Sequence, residues 1–349
     1  MLLLKYHKEL AWSANEMTKK YIVTGGTGFI GSNLVKRLVK EGYKVRILDN
    51  DLRGSGERLK DVANKIEMMK ADIRDPKAVQ NACKGVDGVI HLAYLNGTEF
   101  FYKMPELVLD IAVKGMVNVI DGCVNENVRE LLLASSSEVY QTPSFIPTDE
   151  TVSMSIPDLL NPRYSYGGGK IISELMTINY GRKYFDRAII FRPHNVYGPD
   201  MGWEHVIPQL VLRMKEICKK TNDETINFPI QGTGKETRAF VFIDDFIDGL
   251  MLVIKKGAHL GIYNIGTQDE ISIEKVAVEV GKYFGRKVIV APGKPAKGGT
   301  KRRCPDVTKL KKLGYKPKIT FQEGLQITAN WYDKNVHKKP KSSIRGYEI

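Results

Sequence analysis

The stretch Tyr21-Ile22-Val23-Thr24-Gly25-Gly26-Thr27-Gly28-Phe29-Ile30-Gly31 decides the fold. A β-branched apolar run breaks into four glycines within seven residues, and an apolar helical pattern then runs through Ile30, Leu34 and Leu38. The segment reads as strand, tight turn, helix. Gly25, Gly28 and Gly31 let the backbone turn sharply, approach a pyrophosphate and pack the helix on the strand; the frame Gly26, Gly28, Gly31 also fits. The free amides of the helix start, around Phe29 and Ile30, would face the anion. The helix closes at Glu41-Gly42, and a strand re-enters at Val45-Arg46-Ile47-Leu48. Asp49 ends that strand about 20 residues on, where a carboxylate accepts both ribose hydroxyls of an adenosine. A carboxylate there favours NAD over NADP by repelling a 2′-phosphate, although Arg46 and Arg53 flank it.

The 349 residues, 42% apolar and 27% charged, fit a globular chain of one large domain or two moderate ones. No run approaches the roughly 18 apolar residues of a membrane helix. Met1-Leu2-Leu3-Leu4 gives way at once to Lys5, His7 and Lys8, too short an apolar run for a secretory signal, so a cytoplasmic protein is expected. Met17 just precedes the first strand, which sets residues 1–16 apart as an extension. Cys83, Cys123, Cys218 and Cys304 are scattered without C-x-x-C or Cys/His pairing, implying a reduced compartment and no metal site. The net charge of +13 gathers in the tail (Lys334, Lys338, Lys339, Lys341, Arg345) and between Lys294 and Arg303. The tail reads as a solvated extension and the second cluster as a seat for a diphosphate, so no nucleic-acid partner is expected.

From residue 20 to about 193 strands and helices alternate. Strands are expected at Ile66–Ala71, Val89–Ala93, Leu131–Ser135 and Ala188–Phe191, with helices near 76–84, 106–124 and 167–184. This predicts an α/β fold, a doubly wound parallel sheet of Rossmann type with a smaller C-terminal substrate lobe. The expected division is an NAD-binding domain over 17–193 with returns from about 240–268, a lobe mainly over 194–335 and a basic tail over 336–349. Ligands in such a sheet sit at the carboxyl ends of the strands, where His91-Leu92-Ala93, Ser135-Ser136-Ser137-Glu138 and Arg192-Pro193-His194-Asn195 fall.

Tyr166-Gly-Gly-Gly-Lys170 opens a helix, and residues four apart share a face. An ammonium beside the phenol would lower its pKa and make Tyr166 a base near neutral pH. Three glycines at a helix start suit the helix poorly, which argues for a close approach such as that of a ligand. Ser136 would hold the substrate oxygen beside Tyr166.

With these residues in place, the chain resembles the extended short-chain dehydrogenase/reductase family, in its nucleotide-sugar epimerase/dehydratase branch. The resemblance covers roughly residues 20–335 and rests on the glycine turn, Leu48-Asp49-Asn50, Ala71-Asp72-Ile73, His91-Leu92-Ala93, Ser135 to Tyr140, Tyr166 to Lys170, Arg192 to Pro199, Thr237-Arg-Ala-Phe240 and Arg303-Cys-Pro-Asp306. It implies tightly held NAD, a homodimer joined by a four-helix bundle, a nucleotide-diphosphate sugar substrate and oxidation of a sugar hydroxyl, usually at C4. Tyr166 would be the base, Lys170 its modulator and nicotinamide-ribose ligand, and Ser136 the orienting hydroxyl. Gly25, Gly28, Phe29, Ile30, Gly31, Asp49 and Asn50 would hold the cofactor, with Asp72 and Ile73 at the adenine and Leu92 and Ala93 in the cleft. Ser137, His194 and Asn195 would meet the substrate, with a satisfied structural histidine an equal reading of His194, and Arg238 and Arg303 would clamp its diphosphate. Ser136-Ser137-Glu138-Val-Tyr looks like the corresponding segment of UDP-glucuronate decarboxylases and GDP-mannose 4,6-dehydratases, where the acid assists chemistry beyond hydride transfer. Epimerisation, 4,6-dehydration and decarboxylation of a uronate all remain open. Two departures stand out: Ala112 replaces a frequent asparagine, and His194 a frequent phenylalanine. A non-catalytic NAD-sensing or RNA-binding module is the competing class, against which Ser136, Tyr166 and Lys170 argue.

Overall fold

The computed structural model describes residues 19–294 and 298–340. The N-terminal extension with Met17, and Lys341 and Arg345 of the tail, lie outside the described residues. Strands β1 (Lys20–Thr24), β2 (Lys44–Asp49), β3 (Ile66–Lys70), β4 (Gly88–His91), β5 (Glu130–Ala134), β6 (Arg187–Pro193) and β7 (Gly261–Ile265) form a seven-stranded sheet in the order β7-β6-β5-β4-β1-β2-β3. Every pairing in it is parallel. The order reverses between β1 and β4, and Thr24 lies opposite both Leu48 and His91, so three strands end together there. That level end at a reversal leaves a crevice for ligands.

Alternation along the strands sorts the core into two faces. Tyr21, Val23, Ile47, Ile90, Leu132 and Phe191 face one way, against helices α1 (Phe29–Lys40) and α5 (Ile243–Lys256). Ile22, Leu48, Val89, Leu131, Leu133 and Ile190 face the other, against α2 (Pro76–Cys83), α3 (Pro105–Asn125) and α4 (Tyr164–Tyr184). Each fully buried Leu, Ile or Val contributes about 1.5–3 kcal/mol. Beyond the sheet, a parallel pair (Thr225–Pro229 with Lys287–Ala291) and helices Val206–Cys218, Ile273–Tyr283 and Phe321–Lys334 form the lobe, whose Phe228, Val276 and Leu325 continue the first face's apolar cluster. A small three-stranded sheet places Thr237–Ala239 between Glu270–Ser272 and Arg302–Arg303, with Arg238 opposite Arg303. No described helix is long and apolar enough to cross a membrane.

Candidate active site

A cavity of about 420 Å³ opens at the carboxyl ends of the strands, running from the glycine turn to the start of α4. Gly25 has φ +72°, and a Cβ there would stand 2.7 Å from the Ala93 amide nitrogen. A Cβ on Gly31 would stand 2.1 Å from the Gly25 carbonyl oxygen, so only glycine lets α1 pack on the turn. Gly28 caps α1 without a side-chain hydrogen bond, and no acid occupies the first turn. The amides of Phe29 and Ile30 are thus open to an anion in the cavity that both residues line. This cradle fits the pyrophosphate of a dinucleotide.

Asp49 accepts the Thr27 and Asp51 amides, each at 2.9 Å, and lines the cavity. Neither flanking arginine reaches it. Arg46 turns away to Glu67 (2.8 Å), and Arg53 pairs with Glu204 while its guanidinium stacks 4.8 Å from the Phe100 ring centre. Asn50 donates to Asp72 (2.9 Å). Burial opposes ionisation of Asp72, but Arg74 holds its carboxyl below the usual range. Ile73, Leu92 and Ala93 complete this end.

At the other end the Tyr166 ring stacks on Phe101 at 4.8 Å and meets Tyr94 edge-on at 5.1 Å. Burial pushes the Tyr166 phenol up to about 12, against the pull of the hydrogen-bonding Ser136 hydroxyl. The expected lowering by Lys170 is absent from this geometry. The Lys170 ammonium donates to the Ala134 carbonyl (2.6 Å) and sits over the Tyr94 ring, 3.6 Å from its centre but 5.9 Å from that of Tyr166. Burial pulls Lys170 down to about 7, with Glu174 countering. Each glycine before Lys170 makes room for one of the protein's own side chains. A Cβ at 167, 168 or 169 would meet Gln141 Nε2 (2.6 Å), Ile156 Cδ1 (3.3 Å) or Tyr94 Oη (2.2 Å).

Glu138 lines the same cavity, on a short 3-10 turn, Ser137–Tyr140, whose start is capped by Ser136 Oγ accepting the Glu138 amide (3.1 Å). Its carboxylate accepts from Arg303 at 2.8 Å, with Arg163 at 3.7 Å. Burial alone would raise the Glu138 carboxyl; Arg303, Arg163 and Arg238 together hold it below the usual range. Arg303 lines the cavity, as do Ser137 and Asn195. Arg238 does not: it donates to the Thr237 and Thr300 carbonyls behind Arg303, and burial and that neighbour bring it down to about 10. His194 also departs from expectation. It is 1% exposed, turned away from the cavity, and bonded through Nε2 to Asn264 (3.0 Å). Burial keeps it neutral, pulled down to about 3. Side chains alternate at the end of β6, so Pro193 and Asn195 line the cavity while Arg192 and His194 face inward.

Behind Lys170 the Arg192 guanidinium grips both oxygens of Glu174 (2.8 and 2.6 Å), and Ser135 donates to the same carboxylate. Arg192 also donates to Tyr140, whose hydroxyl donates to Asn264. Tyr94, Arg163 and Glu174 are not among the residues the sequence points to, and Arg192 is there only as part of the strand-end run Arg192-Pro193-His194-Asn195. Glu174 carried a local signal in lying one helical turn beyond Lys170.

Comparison with known proteins gives one family. A model of the NAD dependent epimerase/dehydratase family matches residues 21–266. A UDP-N-acetyl-alpha-D-glucosaminuronate decarboxylase of Bacillus cytotoxicus is 28% identical, covering 90% of this chain and 98% of its own. A putative UDP-glucose 4-epimerase of Methanocaldococcus jannaschii is 30% identical over the same shares, 90% and 98%. A dTDP-glucose 4,6-dehydratase of Streptomyces venezuelae, solved with NAD, is 26% identical with a TM-score of 0.81, covering 91% of this chain and 98% of its own.

Proposed function

Since the chain belongs to the NAD-dependent epimerase/dehydratase family, we propose that it oxidises C4 of a nucleotide-diphosphate uronate and then decarboxylates the 4-keto sugar. The observation that carries this reading is the Glu138 carboxylate, ion-paired to Arg303 in the cavity that Tyr166 also lines. Tyr166 takes the hydroxyl proton, the Ser136 hydroxyl holds the same oxygen and favours the phenolate by its hydrogen bond, and Lys170 would meet the nicotinamide ribose. Bound NAD supplies the hydride acceptor and would give the same hydride back to C4 once C5 is protonated, with the proton held by Tyr166 returning to the C4 oxygen. The resulting β-keto acid loses its C6 carboxylate as carbon dioxide, the bonding electrons pass to the ketone as an enolate, and C5 is then protonated. Ionised Glu138 occupies the Arg303 guanidinium, which would otherwise pair with the substrate carboxylate and hold it back from leaving as carbon dioxide. Arg303 and Asn195 face the substrate's diphosphate, and the planar fork of Arg303 suits phosphate oxygens. Arg238 supports Arg303 from behind. The Bacillus cytotoxicus relative supports decarboxylation.

A 4,6-dehydratase is the second reading, because an ionised Glu138 also suits removal of the C5 proton before water leaves C6. A homodimer is part of the proposal. Exposed Leu109 and Val117 on α3 and Ile172 and Leu175 on α4 offer a bundle face. Four free cysteines suit the cytoplasm. The test is incubation with NAD and a panel of UDP-, GDP-, CDP- and dTDP-sugars and uronates in deuterated water, read by mass spectrometry. Loss of carbon dioxide from a uronate supports the reading, and loss of water supports the second. An isomer without solvent deuterium overturns both.

A further inference from the structure

We infer that Tyr94 is a positioning residue for the Tyr166–Lys170 pair, its ring seating the Lys170 ammonium and its hydroxyl anchoring the first turn of the catalytic helix. This rests on the reading of Tyr166 and Lys170 as the acid-base pair. Tyr94 follows β4 and lines the cavity. Its ring centre is 3.6 Å from Lys170 Nζ, well inside cation–π range, and its hydroxyl donates to the Tyr166 carbonyl at 3.4 Å. The ring also braces the Tyr166 ring edge-on.

The phenol occupies a niche that two small residues create. A Cβ on Gly169 would stand 2.2 Å from Tyr94 Oη and 2.7 Å from the Ala112 Cβ. Tyr94, Ala112 and Gly169 lie on a loop, on α3 and on α4, so three separate positions combine in one feature.

Around Lys170, the Ala134 carbonyl from β5 accepts its proton, His91 from β4 is buried and neutral, and Tyr166 shares its helix. Glu174 acts on it only through space, its oxygens being held by Arg192 and Ser135. Among the described residues no ion pair reaches Lys170, which leaves the Ala134 carbonyl and the Tyr94 ring as the groups in direct contact that favour the charged amine, and of the two only the ring is a side chain.

The test follows the Lys170 side-chain titration by NMR in full-length, lysine-labelled protein, assigned against Lys170→Met, with and without NAD. Tyr94→Leu removes the ring and is expected to lower the titration midpoint by about one pH unit. Tyr94→Phe keeps the ring and restores the midpoint, while Gly169→Ala, which displaces the phenol, moves it in the same direction as Tyr94→Leu. A midpoint unmoved by Tyr94→Leu, or moved equally by Tyr94→Phe, overturns the inference. Should Tyr94→Leu fail to fold, Gly169→Ala decides: an unmoved midpoint overturns the inference. The titration needs no turnover, so it stands apart from the acid-base assignment, which fails separately if Tyr166→Phe turns over a nucleotide sugar as fast as the native chain.

Discussion

Replacing Lys170 by Met is expected to stabilise the fold at acid and neutral pH while abolishing turnover. Lys170 is buried, and burial brings it from 10.5 to about 7. Below the folded pKa the amine is protonated in both states, and the folded state carries the whole burden of a desolvated charge. At about 1.4 kcal/mol per pH unit, that burden is about 5 kcal/mol. Between pH 7 and 10.5 the unfolded chain binds a proton that the folded chain does not, so stability rises with pH through this window and the burden fades. Met carries no charge, but it leaves the Ala134 carbonyl without its donor and loses the contact with Tyr94, which together cost about 2–3 kcal/mol. The variant should therefore be about 2 kcal/mol more stable than the native chain at pH 6.5. It should lose that lead near pH 8–9 and be the less stable of the two above it. Urea unfolding at pH 6.5, 8 and 9, with the native chain alongside, reads the difference. A difference that stays constant with pH would refute the idea that Lys170 is held in strained, desolvated form.

Glu174→Gln leaves the Arg192 guanidinium buried without its carboxylate and should cost about 3–5 kcal/mol, seen in a chain of this length as a fall of roughly 4–7 °C in Tm. An unchanged Tm would remove this pair from the support of the catalytic helix. Gly31→Ala drives a methyl group into the Gly25 carbonyl and should lower Tm by roughly 1–4 °C and weaken NAD binding at least tenfold, read by calorimetry; native affinity would contradict the cradle. Glu138→Gln should leave oxidation in place but slow the later step by roughly 100-fold, so that reduced cofactor accumulates in single-turnover absorbance. No accumulation would assign Glu138 a purely structural part.

The sheet was legible because Tyr21 to Gly31 combines two periods and a glycine pattern that few other folds need, and because the later strands are short apolar runs. β7 was less so: Gly-Ile-Tyr-Asn-Ile has no distinctive pattern, and only pairing with β6 makes it a strand. In the candidate site, local spacing brought Tyr166, Lys170 and the Ser136 turn into view, since four residues on a helix and a strand end are fixed by backbone geometry. Burial and side-chain direction were not legible. The expected coupling of Lys170 to the Tyr166 phenol gave way to a seat on Tyr94, a residue 76 positions earlier whose ring direction depends on the loop after β4. His194 stood at the right strand end but on the wrong side of its alternation. Arg238 lay one layer too deep, because its pairing opposite Arg303 puts one arginine at the cavity and the other behind it. Glu174 and Arg192 meet only through folding of a helix onto β6, a contact that neither segment announces.

The account is tested most sharply by comparing the native chain, Tyr166→Phe and Glu138→Gln on a panel of nucleotide-diphosphate uronates with NAD in deuterated water, with product mass and deuterium content as readouts. The expected result is loss of carbon dioxide with one deuterium at C5 from the native chain, no product from Tyr166→Phe, and a retarded product with reduced cofactor from Glu138→Gln. A product of unchanged mass lacking deuterium, or full turnover by Tyr166→Phe, would contradict it.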